Sequence, residues 1–337
     1  MTSRAKEYLI RAIKTAIFPL IVFLFFGVAT GGRIFSARSL IVILRQSVFP
    51  AIIIMAMMPN LSLGMMDFSL GAVVMTSAIF AGNLMNATNT GYLGLIVFSM
   101  VIAIALTSFT GFLNNKLKVP LLVISLGLML VYEALSIVAF PKTQTAIINV
   151  KYATLAQSPY IFIVLAIAFV IYYVLTNKTA YGHNIRALGG NVELATKAGL
   201  KVEKITQLSF TISGVFAGIA AVVYMCSNGQ VNAPTAFASL STIMNAFLGL
   251  FLGTFLSQFC DASIGIIIAV VTMTTLSNGM LMMGISSTSR SILSSVVLFA
   301  LLTLSSNQPY FARWINNLKR AKLANKAYGE GKKEDPA

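Results

Sequence analysis

Read from its N-terminus, the chain alternates long apolar runs with short polar joints. Ten runs approach the ~20 residues that a helix needs to cross the hydrocarbon core. They are 15–32, 40–58, 68–86, 91–113, 119–140, 159–176, 206–227, 239–257, 262–284 and 288–306. The predicted class is all-α, a polytopic membrane protein of about ten transmembrane helices with some of them broken. Two joints do not read as ordinary loops. Pro59 to Asp67 is too apolar for a segment in water and fits a broken helix or a re-entrant piece. Asn228 to Phe237 is a second candidate for irregular backbone near the membrane. The first run follows Arg4, Lys6, Arg11 and Lys14 and lacks a small-residue cleavage site, so it reads as a retained span rather than a signal peptide. The expected layout is one membrane domain over 1–306 and a basic cytoplasmic tail over 307–337. Within the tail, Arg313 to Ala327 reads as a helix along the membrane surface, and the rest as disordered.

The longest polar island, Tyr181 to Leu200, lies inside the joint 177–205. A short helix can be read in it. Gly189 and Gly190 break the preceding segment and form a hinge. Asn191 can accept a backbone hydrogen bond as an N-cap. Glu193 falls in the first turn, where the helix dipole favours an acid, and Lys197 in the last. Gly199 can take the left-handed conformation that ends the helix. A rigid knob of this kind suits docking of a soluble partner.

Composition agrees with the membrane class. The chain is 57% hydrophobic and 10% charged, against about 25% charged in soluble domains, and its mean hydropathy is +0.86. The net charge of +15 does not imply nucleic acid, because the basic residues sit in termini and short joints. With ten spans, 18 of the Lys and Arg fall on the side of both termini and six on the other. The positive-inside rule then puts the termini and the knob in the cytoplasm. Arg33, Arg38 and Arg45 run against that bias.

Candidate chemistry is sparse. The single histidine, His183, excludes a histidine pair for metal, and no phosphate-binding loop or nucleophile motif occurs. Cys226 and Cys260 read as packing residues. Charges within or near spans are costly and line cavities or find partners. Asp67, with Ser69 and Gly71 after it, reads equally as a polar break in a pathway or as a helix cap. Glu133, mid-span, reads equally as structural or as pathway-lining. Asp261 and Arg290 fall at span ends, where solvation or snorkelling is expected. Asn60, Asn83, Asn245 and Asn278 are buried-amide candidates, of which Asn60, Asn245 and Asn278 join the pathway set. Gly214-x-x-x-Gly218 and Gly249-x-x-x-Gly253 let helices approach closely and read as packing.

Several segments resemble the ABC-importer permeases of the ribose/galactose/xylose class. Met65-Met66-Asp67-Phe68-Ser69-Leu70-Gly71-Ala72-Val73 resembles the G-G-I-D-L-S-V-G-S-V signature. Val119-Pro120 with Ser125-Leu126-Gly127 resembles V-P…T-L-G. Thr179 to Asn191, then Ala195 and Ala198-Gly199-Leu200, is similar to the cytoplasmic loop T-x-x-G-R-x-I-x-A-x-G-G-N-x-x-A-A-x-x-S-G-I. The matches run in order from about 40 to 280. The resemblance implies a bacterial inner-membrane permease without a cofactor of its own, with ATP and Mg on a separate ATPase subunit. It also implies an extracytoplasmic solute-binding protein and pairing as a permease homodimer or heterodimer. The loop helix, with Gly182, Arg186, Gly189, Gly190, Asn191, Glu193, Ala195 and Gly199, would sit in the ATPase and couple it to transport by alternating access. The chain departs from the pattern in two methionines where paired glycines stand before Asp67, and in the Glu133-Ala134 and 238–253 regions. The expected cargo is a monosaccharide, with a nucleoside or signalling furanose as alternatives. A self-contained secondary transporter would need coupling carboxylates that are scarce here, and a membrane enzyme would need a catalytic constellation.

Overall fold

The computed structural model describes residues 3–117, 119–140 and 145–306. The expected tail helix at Arg313–Ala327 lies outside the described residues. All ten apolar runs fall on helices. In chain order the first five are α1 (Ser3–Ala29), α2 (Ala37–Leu61), α3 (Leu70–Thr88), α4 (Gly91–Lys116) and α5 (Leu121–Ala139). A short strand β1 (Thr145–Ile147) and a 3-10 turn (Val150–Ala156) lead to α6 (Tyr160–Lys178). Two helices outside the apolar runs follow, α7 (Ala180–Gly190) and α8 (Val192–Lys197). Then come α9 (Val202–Asn228), strand β2 (Gln230–Asn232), α10 (Ala238–Leu256), α11 (Ala262–Met282) and α12 (Ser287–Ser306). Among the described residues, eight of these helices are long and apolar enough to cross a membrane: α2 to α6 and α9 to α11. The apolar part of α1, Thr15–Ala29, is shorter.

The centre of the molecule is built from α2, α3, α4 and α9. Ile52, Ile54 and Met55 of α2 meet Val73 of α3 and Phe216 and Ala217 of α9 in one buried cluster. Lipid is as apolar as these side chains, so close packing and hydrogen bonds hold the helices together more than burial does. The α4–α9 seam shows why small residues are needed. A methyl group at Gly214 would approach Ile104 Cα to 2.7 Å, and one at Gly218 would approach Met100 Cα to 2.6 Å. Both meet backbone, which cannot turn aside. Gly249 and Gly253 sit likewise against α2 and α11, facing Ile54 and Ile266. The small-residue spacings are therefore used for packing within the chain.

Buried hydroxyls supply the polar contacts. Thr76 on α3 donates to the Tyr132 carbonyl on α5 at 3.0 Å, and Ser136 donates to Thr76 Oγ1 at 2.9 Å. Tyr132 Oη donates to the Leu106 carbonyl on α4 at 2.9 Å. At one end of the bundle β1 and β2 pair antiparallel, with Ala146 opposite Val231. Asn83 and Asn86 of α3 donate to the carbonyls of Thr145 and Ile147 at 3.2 and 2.7 Å, holding this ribbon down. Asp261 caps α11 by accepting from Ser263 N at 2.9 Å.

Gly218→Leu is expected to cost about 3 kcal/mol and to reduce the monodisperse fraction in size-exclusion chromatography. Gly127→Leu, at a glycine with no neighbour within 4 Å of the added carbon, should leave both unchanged.

Candidate functional site

Two helices start inside the bundle instead of at its ends, and their first turns meet. The first is α3. After α2, which carries Pro50 and Pro59, the chain turns through Gly64 at φ +74° and extends to Asp67. One carboxylate oxygen of Asp67 accepts from Ser69 N at 2.9 Å and from Ser69 Oγ at 2.6 Å. Both residues are buried. Asp67 thus fixes the turn that leads into α3 through one oxygen, and its Oδ2 is buried with no hydrogen-bond partner among the described residues.

The second is α10. Ala236 and Phe237 hold left-handed backbone, φ 53° and 66°, a conformation that costs non-glycine residues about 1 kcal/mol or more each. Glu133 from the middle of α5 supplies the compensation. Its two carboxylate oxygens accept from Phe237 N at 3.1 Å, Ser239 N at 3.0 Å and Ser239 Oγ at 2.6 Å. A carboxylate at a helix N-terminus satisfies orphan N–H groups and complements the dipole. Glu133 is therefore a structural cap supplied by a distant helix.

The two starts touch at Gly71, where a methyl group would run into the Ser239 carbonyl. Beside them Phe68, Phe247 and Phe251 form a ladder, with ring centroids 5.3 and 6.1 Å apart. With Met66 and Met244 these rings line a groove of about 310 Å³ that reaches Ser291 and Ser295 of α12. The aromatic ladder escaped the sequence reading, although Phe247 and Phe251 have helical i, i+4 spacing.

The other pathway candidates disperse. Asn278 lies in a separate cavity of about 360 Å³ with Gln46 and Arg290; its amide donates to Gln46 Oε1 at 2.7 Å. Arg290 lies in the first turn of α12, half-buried, with its Nε buried and without a hydrogen-bond partner among the described residues. Asn60 is buried near the end of α2, and neither amide atom has a hydrogen-bond partner among the described residues. For Asn245 the structure places the backbone within α10. Asn83 is structural, tied to β1.

The polar island folds as two helices instead of a loop with one. Thr179 caps α7, accepting from Gly182 N at 3.4 Å. Tyr181, Ile185 and Leu188 turn its apolar face inward, and Tyr181 Oη donates to Ser209 Oγ of α9 at 3.0 Å. Burial pushes the Tyr181 hydroxyl up to about 12, so it stays a neutral donor. Arg186 donates to Asn177 Oδ1 at 3.2 Å. Gly182 and Gly189 are required by close approach, since a methyl group would strike the carbonyls of Thr176 and Ser62 respectively. Gly190 faces open space. The glycine pair ends α7, but Gly189 is a contact point against the turn after α2 and not a free hinge.

The α8 knob has the expected local chemistry. Asn191 Oδ1 accepts from Leu194 N at 3.0 Å. Glu193 pairs with Lys197 at 2.7 Å. Gly199 has φ +88°. Ala195 is buried in a small cluster with Leu188 and Ile205, against which Leu63 and Leu200 pack. Val192 and Leu194 point outward, 55% and 65% exposed. These two apolar residues inside a polar island were the overlooked signal.

Comparison with known proteins adds the following. The family described as branched-chain amino acid transport system / permease component matches residues 41–305. The ribose import permease protein RbsC of Bacillus subtilis is 26% identical over 272 residues, 78% of this chain and 83% of that protein. The L-arabinose ABC transporter permease protein AraH of Azospirillum brasilense is 30% identical over 176 residues, 51% of this chain and 52% of that protein. The autoinducer 2 import system permease protein LsrC of Yersinia enterocolitica is 23% identical over 173 residues, 49% and 47% of the two chains. The chain thus spans about half the length of the last two. No solved structure matches it.

Glu133→Ala strands three donors at the start of α10 and is expected to cost about 2–4 kcal/mol. Thermal unfolding in detergent should register this, with Glu133→Gln losing less because the amide keeps one acceptor.

Proposed function

Since this chain belongs to the family of branched-chain amino acid transport system permease components, and is a permease of the sugar ABC importer class, we propose a complete mechanism for it. The permease receives a monosaccharide from a solute-binding protein at the β1–β2 end. It releases the sugar at the α7–α8 end after a separate ATPase turns over. The Lys and Arg distribution supports a cytoplasmic position for both termini and for the knob. The domain layout of a membrane unit over 1–306 and a tail over 307–337 belongs to the same proposal.

One observation carries the coupling step. On α8, Ala195 packs inward while Val192 and Leu194 stand uncovered on the outer face. An exposed apolar pair on a capped, salt-bridged turn suits insertion into a cleft of a soluble subunit. Behind the pair, α7 bears on Ser62 through Gly189, so a push on the knob reaches the broken joint before α3. Asp67, Ser69, Gly71 and Glu133 then act in the pathway as the fixed ends of two broken helices. The Phe68–Phe247–Phe251 ladder offers sugar-stacking faces beside them. Asn60, Asn245 and Asn278 remain assigned to the pathway in this proposal. Alternating access would be a change in how the two broken starts lean on each other at Gly71. The coupling requires that knob and joint share a two-state element.

The test is uptake of labelled sugar by cells expressing the permease with its ATPase and binding protein. Leu194→Glu and Gly190→Trp, both on the exposed side, should lower uptake more than tenfold at unchanged membrane abundance. Unaltered uptake in both variants would sink the docking role.

A further inference from the structure

The end of the molecule opposite α7–α8 is electrically one-sided. The α1–α2 and α11–α12 connections meet there, with Arg33 Nη2 donating to the Met282 carbonyl at 3.3 Å. Arg33, Arg38, Arg45 and Arg290 lie at or near this end. Among the described acidic residues, Glu133 comes nearest along the helices, and it is occupied by the start of α10. A one-signed surface of this kind concentrates anions at the mouth of a cleft.

The 360 Å³ cavity lies in this half, between α2, α10, α11 and α12. Its volume falls within the usual range for small-molecule pockets. Asn278 is buried and doubly anchored, donating to Gln46 Oε1 at 2.7 Å and to the Thr274 carbonyl at 2.9 Å. The anchoring leaves Asn278 Oδ1 and Gln46 Nε2 available for a guest. Ser277 and Ser294 add hydroxyls to the wall. Arg290 Nε is buried with no hydrogen-bond partner among the described residues, and no Asp or Glu is among the described residues that line the cavity. A buried guanidinium N–H without an acceptor is costly, and its natural complement is an oxyanion held by charge-assisted hydrogen bonds.

We propose that this cavity is a binding station for a small polyhydroxylated solute carrying an oxyanion, a sugar acid. Arg290 takes the carboxylate, and the Gln46–Asn278 amide pair takes hydroxyls. The identification of the polyol as transported cargo rests on the import reading above; the oxyanion preference rests on the cavity. Ile292, Val296 and Phe299 make the outer face of α12 apolar and exposed, so an anionic lipid headgroup could offer the same chemistry. The amide pair and wall hydroxyls favour the sugar.

The experiment measures binding of D-galacturonate and D-galactose to the purified full-length permease in nanodiscs, by calorimetry at millimolar ligand. In phosphatidylcholine discs galacturonate should bind at least tenfold tighter than galactose. Arg290→Gln should abolish that preference, and Arg290→Lys should retain part of it. Asn278→Ala should weaken both sugars together. Equal binding of the two sugars, no binding of either, or a preference that survives Arg290→Gln would overturn the proposal. So would loss of galacturonate binding when phosphatidylglycerol is added, which would give the site to a lipid headgroup. Uptake is a separate readout: a permease that binds galacturonate but supports no ATP-driven uptake keeps the station and loses the import reading.

Discussion

Inside hydrocarbon a backbone N–H has no water to turn to, and each one left open costs several kcal/mol. A helix that begins within the bundle exposes its first few donors to that penalty. This chain begins two helices there and answers each with a carboxylate. Asp67 serves α3 from two residues away, and Glu133 serves α10 from another helix. The first turns touch at Gly71, with Glu133 engaged through both oxygens and Asp67 through one, its Oδ2 being buried with no hydrogen-bond partner among the described residues. The broken architecture, the aromatic ladder beside it and the seating of α10 all depend on these two acids being engaged.

The helix α2 links the two ends of the molecule. At 25 residues it spans about 37 Å. Gln46, in its first half, belongs to the polar cavity, and Ser62, just past its end, bears on Gly189 of α7. Between these points its side chains are among the most deeply buried of the chain. Packed interiors transmit displacement instead of absorbing it. A shift at one end of such a strut has to appear at the other, or be taken up at Pro50 and Pro59 where backbone donors are missing.

Most of the architecture was legible in the sequence because it is local. Spans announce themselves by length, and the α8 knob by Asn191, Glu193, Lys197 and Gly199 within nine residues of one another. The helix α7 was not foreseen. Three glycines lower its propensity, and the burial of Tyr181, Ile185 and Leu188 against the bundle overrides that. Their i, i+4, i+7 spacing was the available clue. The role of Glu133 could not be read, because its partners lie 104 and 106 residues further on and no spacing rule connects them. A comparable separation, with Thr145 opposite Asn232 and Ile147 opposite Gln230, hid the β1–β2 ribbon. The span-end position of Arg290 is legible, but the cavity it shares with α2 and α11 is not, because those residues are distant in sequence.

That separation also sets an order of events during synthesis. Glu133 leaves the ribosome more than a hundred residues ahead of Ser239. At ~5–20 residues per second it waits roughly 5–20 s for the amides that will receive it. During that interval α5 is a membrane segment bearing an acid with no home, and such a segment is held poorly by lipid alone. The insertion machinery, or the neighbouring α3 and α4 already in place, has to shelter it. The last third of the chain therefore completes a helix that was made in the first half, and a truncation before α10 would leave behind an unfinished α5 as well as a shorter protein.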